Sequence, residues 1–186
     1  MSLESGDDTP DGFAAELRAV AHPLRLRILS LLTGAAMTAT EVAGELGITH
    51  ANASYHLRRL LVLHAVVVEN EGGPGRGGSK RYRYDVERER SRHSAGRPAA
   101  QPLDAHRGIY LAMAQELRRR AGLLATGRGA QTDAELWVAP EVWEEAIGTV
   151  RDVTLALHRA AQAPRAPGTV RTNTTIAMFR MKGPGE

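Results

Sequence analysis

Asn52, Tyr55, Arg58 and Arg59 fall within eight residues of one another, and together they offer hydrogen-bonding and cationic chemistry. An asparagine amide can donate to and accept from one base edge at once. An arginine can fork onto guanine or hold a phosphate. These residues are interleaved at helical intervals with Ala53, Leu57, Leu60 and Leu61, an i, i+4, i+7, i+8 apolar set. If Leu57 marks the buried direction, a rotation of about 100° per residue brings Asn52, Tyr55 and Arg59 near the opposite pole, with Arg58 on its flank. Ser54 and His56 fall nearer the core side. The pattern predicts a helix with an apolar back and a polar face of the kind a DNA groove accepts. A plain helical hairpin with a solvated polar face is the alternative, and the surrounding elements bear on that choice.

Thr49 is placed to cap this helix at its N-terminus. Just before it, Thr38 and Glu41 have the spacing of a capping box that opens another helix. Val42, Ala43 and Leu46 supply that helix's apolar face, and Gly47 supplies a residue able to take positive φ and end it. Only Gly47 and Ile48 separate the two patterns before Thr49, the spacing of a helix-turn-helix. A β-branched run follows, Ala65-Val66-Val67-Val68-Glu69, then a Gly-rich loop from Asn70 to Ser79, then Lys80-Arg81-Tyr82-Arg83-Tyr84-Asp85. The second run alternates, with Tyr82, Tyr84 and Val86 on one side and Arg81, Arg83 and Asp85 on the other. This predicts a β-hairpin, and after a helix-turn-helix it reads as the wing of a winged helix. Its tip and return strand carry Arg76, Lys80, Arg81 and Arg83, suited to the phosphate backbone or the minor groove. From Leu46 to Tyr84 six cations face only two acids, Glu69 and Glu71, so the excess charge is concentrated here.

Residues 13 to 86 resemble the winged-helix domain of ArsR-type bacterial transcriptional regulators. The matching stretches are Ala21-His22-Pro23-Leu24-Arg25-Leu26-Arg27-Ile28-Leu29, Thr40 to Ile48, and Ser54-Tyr55-His56-Leu57-Arg58-Arg59-Leu60, in the right order and spacing. The resemblance implies a homodimeric repressor that leaves operator DNA when an effector binds, and it makes Ser54 and His56 contacts at the groove edge. Residues and resemblance together assign DNA contact to Thr49, His50, Ala51, Asn52, Ser54, Tyr55, His56, Arg58 and Arg59 on the helix, and to Arg76, Lys80 and Arg81 on the wing. The metal sites of that family are not matched. Thr40 and Val42 stand where one of them has thiolates. Asp104-Ala105-His106 imitates half of another, whose later positions hold Leu117 and Arg120. His22, His50, His56, His64, His93 and His158 show no ligand spacing either, so no metal or other cofactor is expected.

The chain has 186 residues, no cysteine and a formal net charge of +3, with room for one compact domain and an extension. Absence of cysteine excludes disulfides and thiolate metal sites. No apolar stretch approaches the ~20 residues that span a bilayer, and the acidic, polar N-terminus has no export signal. A cytoplasmic, bacterial protein is expected. Residues 1–10 read as a disordered tail, 11–90 as the winged helix-turn-helix domain, 91–103 as a linker and 104–186 as a dimerisation and candidate effector domain. Within the first domain, Asp11–Ala21 and Leu24–Leu32 are predicted helices. The second half predicts helix, strand, helix, strand: Asp104–Ala125 with a stripe of Ile109, Met113, Leu117 and Leu124; a strand over 134–139; Pro140 to about Ala163 with Trp143, Ile147, Val150, Thr154, Leu157 and Ala161 inward; and an extended stretch over 169–181. The expected fold is mainly α with a β-wing, followed by an α+β extension. Trp137, Trp143, Met178 and Phe179 are candidates for an adaptable effector pocket, with ordinary core packing as the alternative.

An enzyme is not expected. Gly73 to Lys80 imitates a phosphate loop, but Ser79-Lys80 reverses the required order and a strand follows where a helix N-terminus is needed. Three functions remain open at this stage. They are a sequence-specific regulator that binds double-stranded operator DNA as a homodimer, a winged helix used for protein contact, and a nucleoid-type binder indifferent to sequence.

Overall fold

The computed structural model describes residues 17–69 other than 19, 79–86 and 103–183. Residues 17, 18 and 20 are helical, and the rest of the predicted first helix lies outside the described residues, as do the N-terminal tail and the wing tip. Helix α1 runs Pro23–Gly34. Pro23 sits in the first turn, where a helix needs no N–H from it. His22 is the cap, its Nδ1 accepting from the Leu24 N–H at 3.2 Å. Helix α2 runs Ala39–Leu46 behind a complete capping box: Thr38 Oγ1 accepts from the Glu41 N–H at 3.2 Å, and Glu41 Oε2 accepts from the Thr38 N–H at 2.7 Å. Gly47 ends it at φ +64°, a left-handed conformation that favours glycine. Helix α3 runs His50–Val62 behind Thr49, whose hydroxyl accepts from the Asn52 N–H at 3.2 Å.

Strands β1, Val66–Glu69, and β2, Arg81–Tyr84, pair antiparallel with Val66 opposite Tyr84 and Glu69 opposite Arg81. A third short partner joins them. Met37 and Tyr82 exchange both backbone hydrogen bonds, at 2.9 and 2.8 Å, so the segment between α1 and α2 is stitched to the wing. All these elements share one core: Ile28, Leu32, Val42, Ala53, Leu57 and Leu60 are fully buried, closed by Met37, Val66 and Tyr82. The sides of α2 and α3 predicted to be apolar are the sides that pack.

The second half departs from its sequence pattern. Helix α4, Leu103–Ala121, packs on α1 through small residues: Ala105 and Ala112 are buried, and Gly108 leaves just enough room for Ala21 Cβ. The predicted stripe of Ile109, Met113 and Leu117 is only half covered, and Leu124 lies past the helix and is 90% exposed. Glu116 is buried beside Arg119 and Arg120, at 2.8 and 3.6 Å, so this carboxylate is compensated rather than stranded. Helix α5, Pro140–Ala160, buries none of its residues fully. Its predicted inward positions Trp143, Ile147, Val150 and Thr154 are half-buried, whereas Leu157 and Ala161 are exposed. The predicted strands over 134–139 and 169–181 are not strands in this structure. A strand exists only where another chain segment takes its backbone hydrogen bonds, and among the described residues none does so for either stretch. The helical part of the expected extension holds, and its β part does not.

After α5 the chain turns back onto the unit formed by α1–α3 and the hairpin, the reading head expected from the sequence. A methyl group added at Gly34 would lie 2.1 Å from the carbonyl oxygen of Gln162, and Arg165 pairs with Glu45 of α2. Gly34→Ala should therefore release the segment around Gln162, visible as faster tryptic cleavage after Arg165 with the α1–α3 core intact. Leu57→Ala, which empties a fully buried site, should cost about 2–5 kcal/mol in denaturant titration.

Candidate nucleic-acid interface

The capping interactions of α3 hold its axis while its apolar side is locked into the core. Its remaining side chains thus have no choice of direction. His50, Ala51, Asn52, Tyr55, Arg58 and Arg59 are exposed, Tyr55 with 51% of its surface open, and Ser54 is half-buried. The structure brings these residues onto one face. Thr49 is exposed as well, with its hydroxyl already engaged as the cap. Arg58 Nε donates to the Ser54 carbonyl at 3.2 Å, folding that side chain back along its own helix.

Two residues assigned to DNA contact stand elsewhere. His56 is only 6% exposed. It turns inward between α1 and α3, where Arg25 Nε donates to its Nδ1 at 3.3 Å and the His22 ring lies 5.1 Å away, centroid to centroid. It positions α3 rather than presenting itself to a groove, because a ring about a quarter turn from Leu57 still reaches α1. Arg81 is the second. Its guanidinium donates twice to the Ala36 carbonyl, at 3.3 and 3.0 Å, and once to Glu41 at 3.2 Å. It ties β2 to the start of α2 and is not a phosphate hook. On the same hairpin Arg83 lies 3.7 Å from Glu69. Lys80 is exposed at the start of β2, and Arg76 lies outside the described residues.

Sequence reasoning missed the supports on α1. Arg25 steadies His56, and Arg27 donates to the Leu46 carbonyl at 3.4 Å, meeting the C-terminal end of α2 where a cation is favoured. Both lie in the stretch that carries the family resemblance. Their partners are 31 and 19 residues away, beyond the reach of helical periodicity.

Burial is the largest cause holding the His56 imidazole below its usual pKa, followed by the nearby His22 and Arg25. A proton on Nδ1 would also displace the Arg25 hydrogen bond. The Glu41 carboxyl is held below the usual carboxylate range, first by the Thr38 N–H and with help from Arg81.

None of the four residues proposed to line an effector pocket lines either cavity found at the seam between the second half and the winged helix. Trp137 is 86% exposed, Trp143 is half-buried on α5, and Phe179 stacks on Tyr110 of α4 at 4.9 Å, with Met178 beside it in sequence. Two open cavities lie instead where the second half meets the reading head. One, of about 310 Å³, is lined by Met37, Glu41, Glu45, Arg81 and Pro164 among others. The other, of about 400 Å³, lies between the wing and α5 and includes Glu69, Arg83, Tyr84, His158 and Arg159. Among the described residues no three His, Asp or Glu side chains converge on a metal position, and no helix is long and apolar enough to cross a membrane.

Residues 20–68 match a family of helix-turn-helix domains. Among solved structures the chain is similar to a homodimeric winged helix-turn-helix DNA-binding domain from Mycobacterium bovis, described as a possible ArsR-family transcriptional regulator. The identity is 24% over 64% of this chain and 92% of that one, with a TM-score of 0.36. No curated protein matches. This part of the chain is a helix-turn-helix domain, and the antiparallel hairpin after it supplies a wing.

The geometry separates three classes of variant. Asn52→Ala or Tyr55→Ala should cost about 1–3 kcal/mol of binding at one operator position and relax specificity there, whereas Lys80→Ala should weaken all sequences alike and lower the salt slope by about one. Arg81→Ala should instead lower folding stability by about 1.5–3 kcal/mol, since it removes charged hydrogen bonds inside the fold. Because the folded chain keeps His56 neutral where the unfolded chain would protonate it, the stability from this site is complete above the ordinary imidazole value of about 6.5 and is lost as pH falls through the folded value. Glu41 stays ionised over that range. Thermal melts between about pH 8 and pH 5 should show the decline, and His56→Gln should flatten it.

Proposed function

We propose that this protein is a sequence-specific, non-catalytic transcriptional regulator of the bacterial cytoplasm. It binds a palindromic operator as a homodimer and acts as a repressor relieved by a small organic effector or a partner. The observation that carries this reading is the exposed face of α3, where Asn52, Tyr55 and Arg59 point away from a fully packed back. In the reading we propose, α3 enters the major groove, Asn52 pairs with adenine and an arginine with guanine, and the wing follows the backbone. A single helix touches too few base pairs to single out one genomic site, and two-fold pairing over half-sites about one helical turn apart supplies the missing information.

Contacts between the halves support regulation. Arg165 meets α2, Gln162 lies against Gly34 of α1, and His158 meets Tyr84 of the wing edge-on at 6.2 Å. An effector that moved the end of α5 would act on α1, α2 and the wing, the elements that hold α3 in place.

The test is a gel shift of the full chain on the region upstream of its own gene, against a shuffled duplex of equal length, at several salt concentrations. A preference for the upstream region of 1,000-fold or more, about 4 kcal/mol, is expected. Salt-dependent but sequence-blind affinity would identify a nucleoid-type binder, and absence of affinity for either duplex would leave a protein-contact module.

A further inference from the structure

Two stretches of the second half have what a β-strand needs except a partner. Residues 134–139 read Ala-Glu-Leu-Trp-Val-Ala, and residues 169–181 alternate Val170, Thr172, Thr174 and Ile176 with Arg171, Asn173 and Thr175. Both are neither helix nor turn, and their φ angles are negative throughout, as a strand requires. Among the described residues, no backbone hydrogen bond joins either stretch to another strand. The side chains lie correspondingly open: Leu136 75%, Trp137 86%, Val170 83% and Met181 61% exposed. Apolar side chains and unpaired backbone open to water in the same place mark a surface made to be covered.

The second stretch touches α4 of its own chain at two odd-numbered positions: Asn173 Oδ1 accepts from Arg120 at 2.9 Å and Phe179 stacks on Tyr110. Val170 and Ile176 stand on the other face, and the backbone edges remain to be paired. Charge indicates what pairs there. The first stretch and its flank carry Asp133 and Glu135, and the second carries Arg171, Arg180 and Lys182. Each stretch is the electrostatic complement of the other. We propose that residues 134–139 of one copy pair with residues 169–181 of a second copy, forming an intersubunit sheet repeated twice about the dimer axis. A two-fold operation gives each copy both roles, so every acidic stretch meets a basic one and both apolar sets are covered at once. Helix α5 directly follows the first stretch, which accounts for its uncovered Val142 and Val153, since they would lie in the same interface.

This inference rests on the homodimer of the proposed function, but its test requires no DNA. The chain has no cysteine, so introduced thiols report only their own neighbours. Full-length chains carrying V138C alone are mixed with chains carrying T172C, T174C or I176C alone, unfolded and refolded together, and oxidised under mild conditions. At least one mixed pair should give a disulfide-linked heterodimer in high yield, and the unsubstituted chain should sediment as a dimer at micromolar concentration. Ile176→Lys should shift that equilibrium toward monomer at least tenfold while the helical circular dichroism stays unchanged. Two results would overturn the proposal: no mixed pair linking, or the same two cysteines placed in one chain closing within that chain while it sediments as a monomer. A chain that cross-links between copies but shows no operator preference keeps the sheet and loses the regulator reading. A chain that binds its operator without cross-linking does the reverse.

Discussion

The back of α3 is the constraint on which the rest of the molecule depends. Ala53, Leu57 and Leu60 are all fully buried, against Ile28 and Leu32 of α1, Val42 of α2 and Tyr82 of β2. A helix of thirteen residues has little stability of its own in water, so tertiary packing holds it. That packing also decides function, because a rotation of α3 about its axis would bury Asn52 and expose Leu57 together. The polar face is presented because the apolar face has a single place to go. The wing is part of the same arrangement, since Tyr82 closes the core while β2 carries Arg83 next to it and Lys80 stands just before the strand.

Around this core, polar contacts fix angles rather than supply bulk. Thr38 with Glu41, Gly47 and Thr49 set where α2 stops and α3 starts. Arg81 then joins the wing to the Ala36 carbonyl and to Glu41, so a single guanidinium senses the α1–α2 connection, the α2 cap and β2. Arg25 and His22 do likewise for α3 through His56. The contacts of Arg81 with Ala36 and of Arg25 with His56 are hydrogen bonds from a charged guanidinium to a partly or fully buried partner, where geometry matters more than for exposed pairs such as Arg83 with Glu69. Two residues with the chemistry of DNA contact are thus used internally, and the cationic surface is smaller than a count of arginines implies.

The second half follows a different rule. Helix α4 meets α1 through small residues, which allows close approach and leaves Leu111 and Leu117 of α4 facing outward. Helix α5 is tethered at its end by the contacts of His158, Gln162 and Arg165 and has no buried residue. Such an arrangement couples the halves without completing a core within one chain. It places the apolar surface where another subunit can use it, and the cavities of this region open at the seam with the reading head.

Most of the reading head could be read from the sequence because its determinants are local. Thr38 and Glu41 are three residues apart, Gly47 ends a helix by its own φ, and the periodicity of Ala53, Leu57 and Leu60 points one face inward whatever they meet. The polar face of Asn52, Tyr55 and Arg59 follows from the same arithmetic. Tertiary structure alone decided what depends on residues distant in sequence. His56 became a support because Arg25 and His22 come to lie beside it, and Arg81 a tie because Ala36 does. Met37 joined the wing only once α1 had turned back. For residues 134–139 and 169–181 the alternation was visible, but a strand is a property of a pair, and no local pattern states whether the partner lies in the same chain.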